Sequence, residues 1–304
     1  MTTDIIRQTF KLAKAAREKH EDEISEAYKY TRPNRDIWRH RESTTDRTKI
    51  YDSTAPDSVQ NLVSTILNLL IPQNQQWATL SVREDVKEEV ASDIKRLLDK
   101  ANRTVFKTIR DSNFYISASE ALTDAIISGC GAIGLYETET EIEFIGIPTY
   151  QLYFLDDYKG ELDTVFRQHQ CTAQYLFENF KNLPDEIKEQ AIKSPNQQID
   201  VTESCMRLTG DKDYTYTVMV GKSLNVIHKK KMATQMFVVF RFGRTIGEVW
   251  GESPVRMALP YIRTINECQM LMLQAAAYAS LGAWQVNRET AVNFANVKLK
   301  AGDV

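Results

Sequence analysis

The sequence predicts an α+β fold, and three observations carry the prediction. Apolar residues recur at helical intervals through the N-terminal part of the chain. From Ala132 to Phe242 the texture changes to short runs of Tyr, Val, Ile, Phe and Thr between turn residues, which reads as antiparallel strands. Beyond Gly243 the helical pattern returns. The 304 residues suffice for a sizeable core, and at roughly 100 to 200 residues per domain they suggest two domains, or one large domain with an appendage.

The first helix is predicted over 4–28, where Ile5, Ile6, Phe10, Ala13, Ile24, Ala27 and Tyr28 are spaced among charged residues. Arg32-Pro33-Asn34-Arg35 stops it, and the polar segment to Thr48 reads as a loop. Asp52-Ser53-Thr54 and Pro56 open a second, buried helix over 54–71, with Val59, Leu62, Val63, Ile66, Leu67 and Leu70 as its stripe. Trp77 to Val82 reads as a short strand, and the stripe from Val86 to Ile109 predicts a third helix over 84–112. A shorter helix over 121–127, capped by Ser117 or Ser119, closes at Gly129-Cys130-Gly131, where glycine permits positive φ. Eight strands follow at 132–137, 141–147, 151–155, 161–170, 199–208, 213–220, 224–229 and 235–242, with helical turns at 172–180 and 184–193. Ser253 then caps and Pro254 begins a long helix, which Pro260 is expected to kink because it lacks a backbone donor.

Composition excludes several classes. Lys plus Arg is 38 against 41 Asp plus Glu, a net charge of -3, which argues against a wholly basic nucleic-acid binder. With 42% hydrophobic and 26% charged residues the chain is neither disordered nor collagen-like. Cys130, Cys171, Cys205 and Cys268 contain no C-x-x-C pair and read as buried free thiols. Charges throughout residues 4–28 exclude a secretory signal there. The most apolar stretch, Leu271 to Trp284, is shorter than the roughly 18 to 20 residues of a bilayer span, so no membrane is expected.

Catalytic chemistry finds little support. Gly129-Cys130-Gly131-Ala132-Ile133-Gly134 spells G-x-G-x-x-G, but a dinucleotide loop runs from strand to helix, and here a helix precedes and a strand follows. Cys130 has no histidine near it in sequence to activate it. His20, His40, His169 and His228 form no metal-ligand spacing, and no metal or cofactor is expected. Pro184-Asp185-Glu186-Ile187-Lys188 superficially resembles nuclease acids and lysine, yet falls within one polar helical turn and reads as a solvated face.

Lys229-Lys230-Lys231, at an expected strand end, are candidates for contact with nucleic-acid phosphates, as are Arg256, Arg263 and Arg288; each also reads as simply solvated. The helix from Leu259 to Ala279 is apolar on more than one side and must be enclosed. Leu259, Pro260, Ile262, Ile265 and Leu271 are the candidates for packing between subunits, with an ordinary core helix as the alternative.

Two segments resemble a known family. Tyr51-Asp52-Ser53-Thr54-Ala55-Pro56, running through an apolar helix to Trp77-Ala78-Thr79-Leu80, is the first. The second is Gly247-Glu248-Val249-Trp250-Gly251-Glu252-Ser253-Pro254 with Ala258-Leu259-Pro260-Tyr261-Ile262-Arg263-Thr264-Ile265-Asn266. Both are similar to the portal, or head-to-tail connector, proteins of T7-like short-tailed bacteriophages, with Ile265 in place of the usual Leu and Trp250 where an aromatic precedes Gly. Gly129-Cys130-Gly131 resembles a small-residue turn of the same family.

The resemblance implies a portal-like α+β subunit of a homo-oligomeric ring, typically dodecameric, at a capsid vertex of the virion. Double-stranded DNA would be packaged through it by a terminase and later ejected, and a tail adaptor, the major capsid protein and scaffold would be neighbours after assembly in the host cytoplasm. Residues 1–250 would form a helical wing with its antiparallel β region, 251–280 the first, kinked stem helix, and 281–304 the start of a clip. Family members are longer, so the chain would be an N-terminal portion. Such a conduit needs no catalytic group, and a net acidic balance avoids gripping the duplex. Two other classes stay open: a metal-dependent enzyme acting on nucleic acid, using Asp156, Asp157, Glu161 and Asp163, and a monomeric soluble adaptor.

Overall fold

The structure is a computed structural model, and it describes residues 2–32, 49–82, 88–137, 142–157, 159–207 and 211–281. It mixes helices with antiparallel sheet. The elements are α1 (Thr2–Glu18), α2 (Glu21–Thr31), α3 (Thr54–Leu70), α4 (Glu88–Asp111), α5 (Phe114–Ser128), β1 (Cys130–Glu137), β2 (Ile142–Gly146), β3 (Leu152–Leu155), β4 (Thr164–Thr172), α6 (Ala173–Asn179), α7 (Asp185–Lys193), β5 (Gln198–Arg207), β6 (Tyr214–Val220), β7 (Asn225–Met232), β8 (Phe237–Arg241) and α8 (Pro254–Leu281).

The β region forms two antiparallel sheets, a three-stranded β2-β1-β8 and a five-stranded β3-β4-β5-β6-β7. The pleat sorts the larger sheet's side chains. Arg167, opposite Glu203, shares a face with Val165 and with Cys205, Val201 and Ile199 of β5. One end of that face is covered by the smaller sheet through Phe237 and Tyr136, the other by α6 and α7 through Leu176 and Ile187. The opposite face carries Tyr153, Phe166, Met206 and Met219 under Ile6, Phe10 and Ala13 of α1. The main core lies where α2, α3, α5, β1, β8 and the start of α8 converge, around Ile126, Ile127, Phe154 and Trp250.

The predicted first helix is two helices, broken at Lys19-His20. Ile6, Phe10 and Ala13 pack on the sheet, whereas Ile24, Ala27 and Tyr28 pack into the main core, so the halves serve different surfaces. At the break Arg17 donates to the Tyr150 carbonyl (2.7 Å) and pairs with Glu21 (3.2 Å), and acidic residues open α2 beside its positive N-terminus.

Trp77 to Val82 forms no regular strand. The Asn102 side chain stands in for a neighbouring strand, accepting from the Leu80 amide (2.9 Å) and donating to its carbonyl (3.1 Å). The helix before the double-glycine turn starts earlier than predicted, at Phe114, after Asn113 rather than Ser117 or Ser119. Leu70, in the stripe of the expected buried helix, is exposed, and so are Leu97 and Val105 of α4. The loop to Thr48 lies largely, and the clip segment except Leu281 wholly, outside the described residues.

Candidate functional site

The two motif-bearing segments lie about two hundred positions apart in sequence and meet in space at the base of α8. Ser253 begins the arrangement. Its hydroxyl accepts from the Arg256 amide (3.0 Å), capping α8, and lies 2.7 Å and 2.8 Å from the Ile126 and Ile127 carbonyls to which it can donate. One side chain therefore starts α8 and fastens it to the end of α5. Beside it Gly129 ends α5 at φ +96°, and Gly129 and Gly251 approach so closely that a Cβ on Gly129 would lie 2.1 Å from the Gly251 carbonyl oxygen. Cys130 follows directly; its sulfur accepts from the Gly251 amide (3.1 Å), and burial pushes its thiol up to about 12. That chemistry is opposite to an activated nucleophile. The sequence order helix, glycine turn, strand holds, so no dinucleotide loop is formed.

From this base α8 has two flanks. On one, Arg256 pairs with Glu23 and Arg263 with Glu26, tying two turns of α8 to α2. His20 completes the cluster: its Nδ1 lies 3.2 Å from the Arg256 guanidinium and its Nε2 3.8 Å from Glu248. Burial and then Arg256 hold the imidazole below its ordinary value, and the Arg256 hydrogen bond holds Glu23 below the usual carboxylate range.

On the other flank, α8 and the start of α3 enclose an apolar groove of about 260 Å³ between Ala55, Val59 and Leu62 on one wall and Ala258, Ile262 and Ile265 on the other. Asp52 stands at its end, accepting from the Thr54 amide (3.2 Å) and hydroxyl (2.9 Å). Asn266 then bridges to the segment before α3, accepting from the Tyr51 amide (2.7 Å) and donating to the Lys49 carbonyl (3.1 Å). Beyond this brace α8 is mostly uncovered: Leu271 is 54% exposed, Met272 64%, Leu273 56% and Tyr278 51%.

The sequence-derived candidates divide accordingly. Leu259 is only 4% exposed and belongs to its own chain's core; Ile262 is half-buried, while Pro260, Ile265 and Leu271 are exposed. Arg256 and Arg263 are held by carboxylates of α2. Lys229, Lys230 and Lys231 sit inside β7, which runs past the expected end at 229 to Met232, on an outer edge of the five-stranded sheet. All three are exposed, and Lys231 reaches Asp211 (3.4 Å). Lysine on an edge strand also blocks unwanted strand pairing, which needs no ligand. Arg288 lies outside the described residues.

Asp157 accepts from the amides of Lys159 (2.8 Å) and Glu161 (2.9 Å), closing the β3–β4 turn, and those bonds, Glu161's first, hold it below the ordinary value. Asp163 bonds Thr164 (3.0 Å) and Asp156 faces Arg241 (3.9 Å). Among the described residues no group of three or more His, Cys, Asp or Glu side chains is placed to hold a metal ion. Cys130 and Cys205 are buried, but Cys171 is half-buried and Cys268 exposed, correcting the expectation of four buried thiols. No described helix is long and apolar enough to cross a membrane.

One buried polar cluster escaped sequence reasoning. Tyr136 and Tyr216 donate to the two oxygens of Glu203 (2.7 and 3.0 Å), and Arg167 reaches the Tyr136 hydroxyl (2.7 Å). Burial, reinforced by Glu203, pushes both tyrosines up, so they stay protonated as donors. The four residues come from four strands, and no local pattern announces them. They join the two sheets and offer no nucleophile.

A search of curated proteins finds no match. The model of one family, described as bacteriophage head to tail connecting protein, matches residues 3–304. That match covers nearly the whole sequence, and the chain belongs to the bacteriophage head to tail connecting proteins.

Proposed function

We propose that the chain is the subunit of a portal ring at a capsid vertex, through which DNA is packaged and ejected and to which terminase and tail attach. Family membership supports a place in the virion, self-association into a ring and a structural rather than enzymatic role. The observation that carries the finer reading is α8: two turns of it are fastened to the body, while Leu271, Met272, Leu273 and Tyr278 are left to water. Apolar side chains left uncovered on more than one side of a helix mark an interface, and a heterologous contact repeated by rotation closes a ring. In this reading residues 1–250 are the wing, 251–280 the first stem helix and 281–304 the start of the clip. Pro260, Ile262, Ile265 and Leu271 face neighbouring copies.

Phosphate contact belongs to the same proposal. Lys229, Lys230 and Lys231 are exposed, Lys231 reaching Asp211, whereas Arg256 and Arg263 would have to leave Glu23 and Glu26 to reach a phosphate. Light scattering at low and high salt, with electron micrographs of the same sample, tests the reading. Rings with a central hole are the expected result; a uniform monomer at every concentration would refute ring formation by these 304 residues.

A further inference from the structure

Among the described residues Ile246 is the most exposed of the large apolar side chains, at 98%, and it is presented rather than loose. It occupies the second position of a turn, Thr245-Ile246-Gly247-Glu248, closed by the Glu248 amide to the Thr245 carbonyl (3.2 Å), with Gly247 at φ +90°. That pattern needs glycine at the third position. The turn stands on a braced stalk. Gly243 pairs with Glu252 as an isolated bridge, Thr245 bonds Glu252, and Arg241 donates to the carbonyls of Val249 (3.2 Å) and Gly160 (2.7 Å). Arg244 lies against Gly160 and donates to the Lys159 carbonyl (3.4 Å). Holding an isoleucine in water on so fixed a support gives its own chain no burial.

The same chain carries a matching cavity. The groove between α3 and α8 is apolar along its walls, of a volume that admits a branched aliphatic side chain, and open at the Ser58 and Tyr261 rim. The segment that carries Ile246 meets α8 at Arg256, through Glu248 and His20, whereas the groove opens on another flank of the helix. At 100° per residue, Arg256 and Arg263, on the flank where His20 and Glu248 meet, share one direction, and Ala258 and Ile265 point nearly the opposite way. Ile246, almost wholly exposed, does not fill the groove of its own chain. As peg and groove, the two form the head-to-tail pair that a cyclic assembly repeats. Charge agrees: Arg244 is exposed two residues before Ile246, Glu248 two residues after it is turned to His20 (3.8 Å), and Asp52 lines the groove.

We infer that Ile246 of each copy inserts into the α3–α8 groove of the next copy round the ring, with Arg244 meeting Asp52. The occupant is a second copy of this chain, and the inference rests on the ring reading above. The test uses the full chain with Ile246→Asp and with Ser58→Trp, which fills the groove from its exposed rim. Because Ile246 is almost wholly in water, Ile246→Asp folds as the parent does by circular dichroism. Each variant raises the concentration needed for ring assembly by about tenfold or more, the size expected of a buried anchor. A photoreactive p-benzoylphenylalanine at position 246, in mixtures of isotopically light and heavy chains, forms links between copies at the groove rim. Rings that persist in Ile246→Asp, or links that fall elsewhere, overturn the peg and leave the ring intact. A parent chain that never assembles or cross-links between copies overturns both.

Discussion

Two apolar helices meet at the base of α8 and are treated oppositely by the fold. α5 is buried over its second half, with Ala121, Ala125, Ile126 and Ile127 each at 1% exposure or less, although Ile116 near its start is exposed. α8 buries Val255 and Leu259 and then presents Leu271, Met272 and Leu273 to water. Both are too apolar to stand alone in water, so the requirement for cover is the same. What differs is the source of the cover: α5 is enclosed by α2, α3, α8, β1 and β2 of its own chain, α8 only over its first turns.

The sharpest way to break the comparison is at the point where the two helices touch. Gly129→Val places a Cβ about on top of the Gly251 carbonyl at a backbone angle that side chains rarely adopt. The expected loss is about 4 kcal/mol, large enough to release α8 from α5 and to lower the urea midpoint drastically. An unchanged midpoint would mean that the close glycine contact does not hold the base together.

Leu259→Ala and Leu271→Ala separate the two halves of α8. The first opens a cavity in the chain's own core and should cost about 3 kcal/mol. Leu271→Ala should change the stability of the unassembled chain by no more than about 0.5 kcal/mol while weakening association. Equal losses in denaturation of the dissociated chain would show that the distal half of α8 is covered by its own protomer. Between these effects, Ser253→Ala removes both the cap and the tie to α5, at about 1–2 kcal/mol, and should leave α5 itself folded by hydrogen exchange.

Much of this division was legible from residues, and the failures are instructive. The strands were visible because their β-branched and aromatic runs end at Gly, Pro and Asp, and the start of α8 because Ser253-Pro254 is a capping pair with few other uses. The α1–α2 break was hidden because Arg17 and Ile24 continue the stripe across His20, so the period never slips; only the two surfaces beneath differ. Trp77 to Val82 has the composition of a strand, but a strand also needs a partner, and Asn102 supplied it from a helix. The motifs at Tyr51 and Gly247 could each be recognised, while their meeting through Asn266 depends on the fold. One isoleucine in a loop carries no sequence pattern, and only its exposure marks Ile246.

The smallest expected effect separates the α8 base from the sheet interior by pH. His20 sits at the base against Arg256, Glu23, Glu248 and Lys19, and His169 lies inside the sheet beside Arg167 and Glu203. Burial foremost holds both below the ordinary value of 6.5. The unfolded chain therefore takes up protons near 6.5 that the folded chain refuses until lower pH. Stability is complete above that value and falls as pH drops through it towards the folded values. Glu23 acts in the same direction further down, since its folded value lies below the ordinary 4.5. Urea midpoints at about pH 7.5, 6.5 and 5.5 should decline in order, and His20→Gln and His169→Gln should each flatten the decline. If His169→Gln alone flattens it, proton uptake at His20 is absorbed by Glu23 and Glu248, and the α8 base is held by Arg256 and Arg263 without help from the imidazole. If neither does, both rings titrate as they would in water, and burial at these two places is less complete than the structure gives.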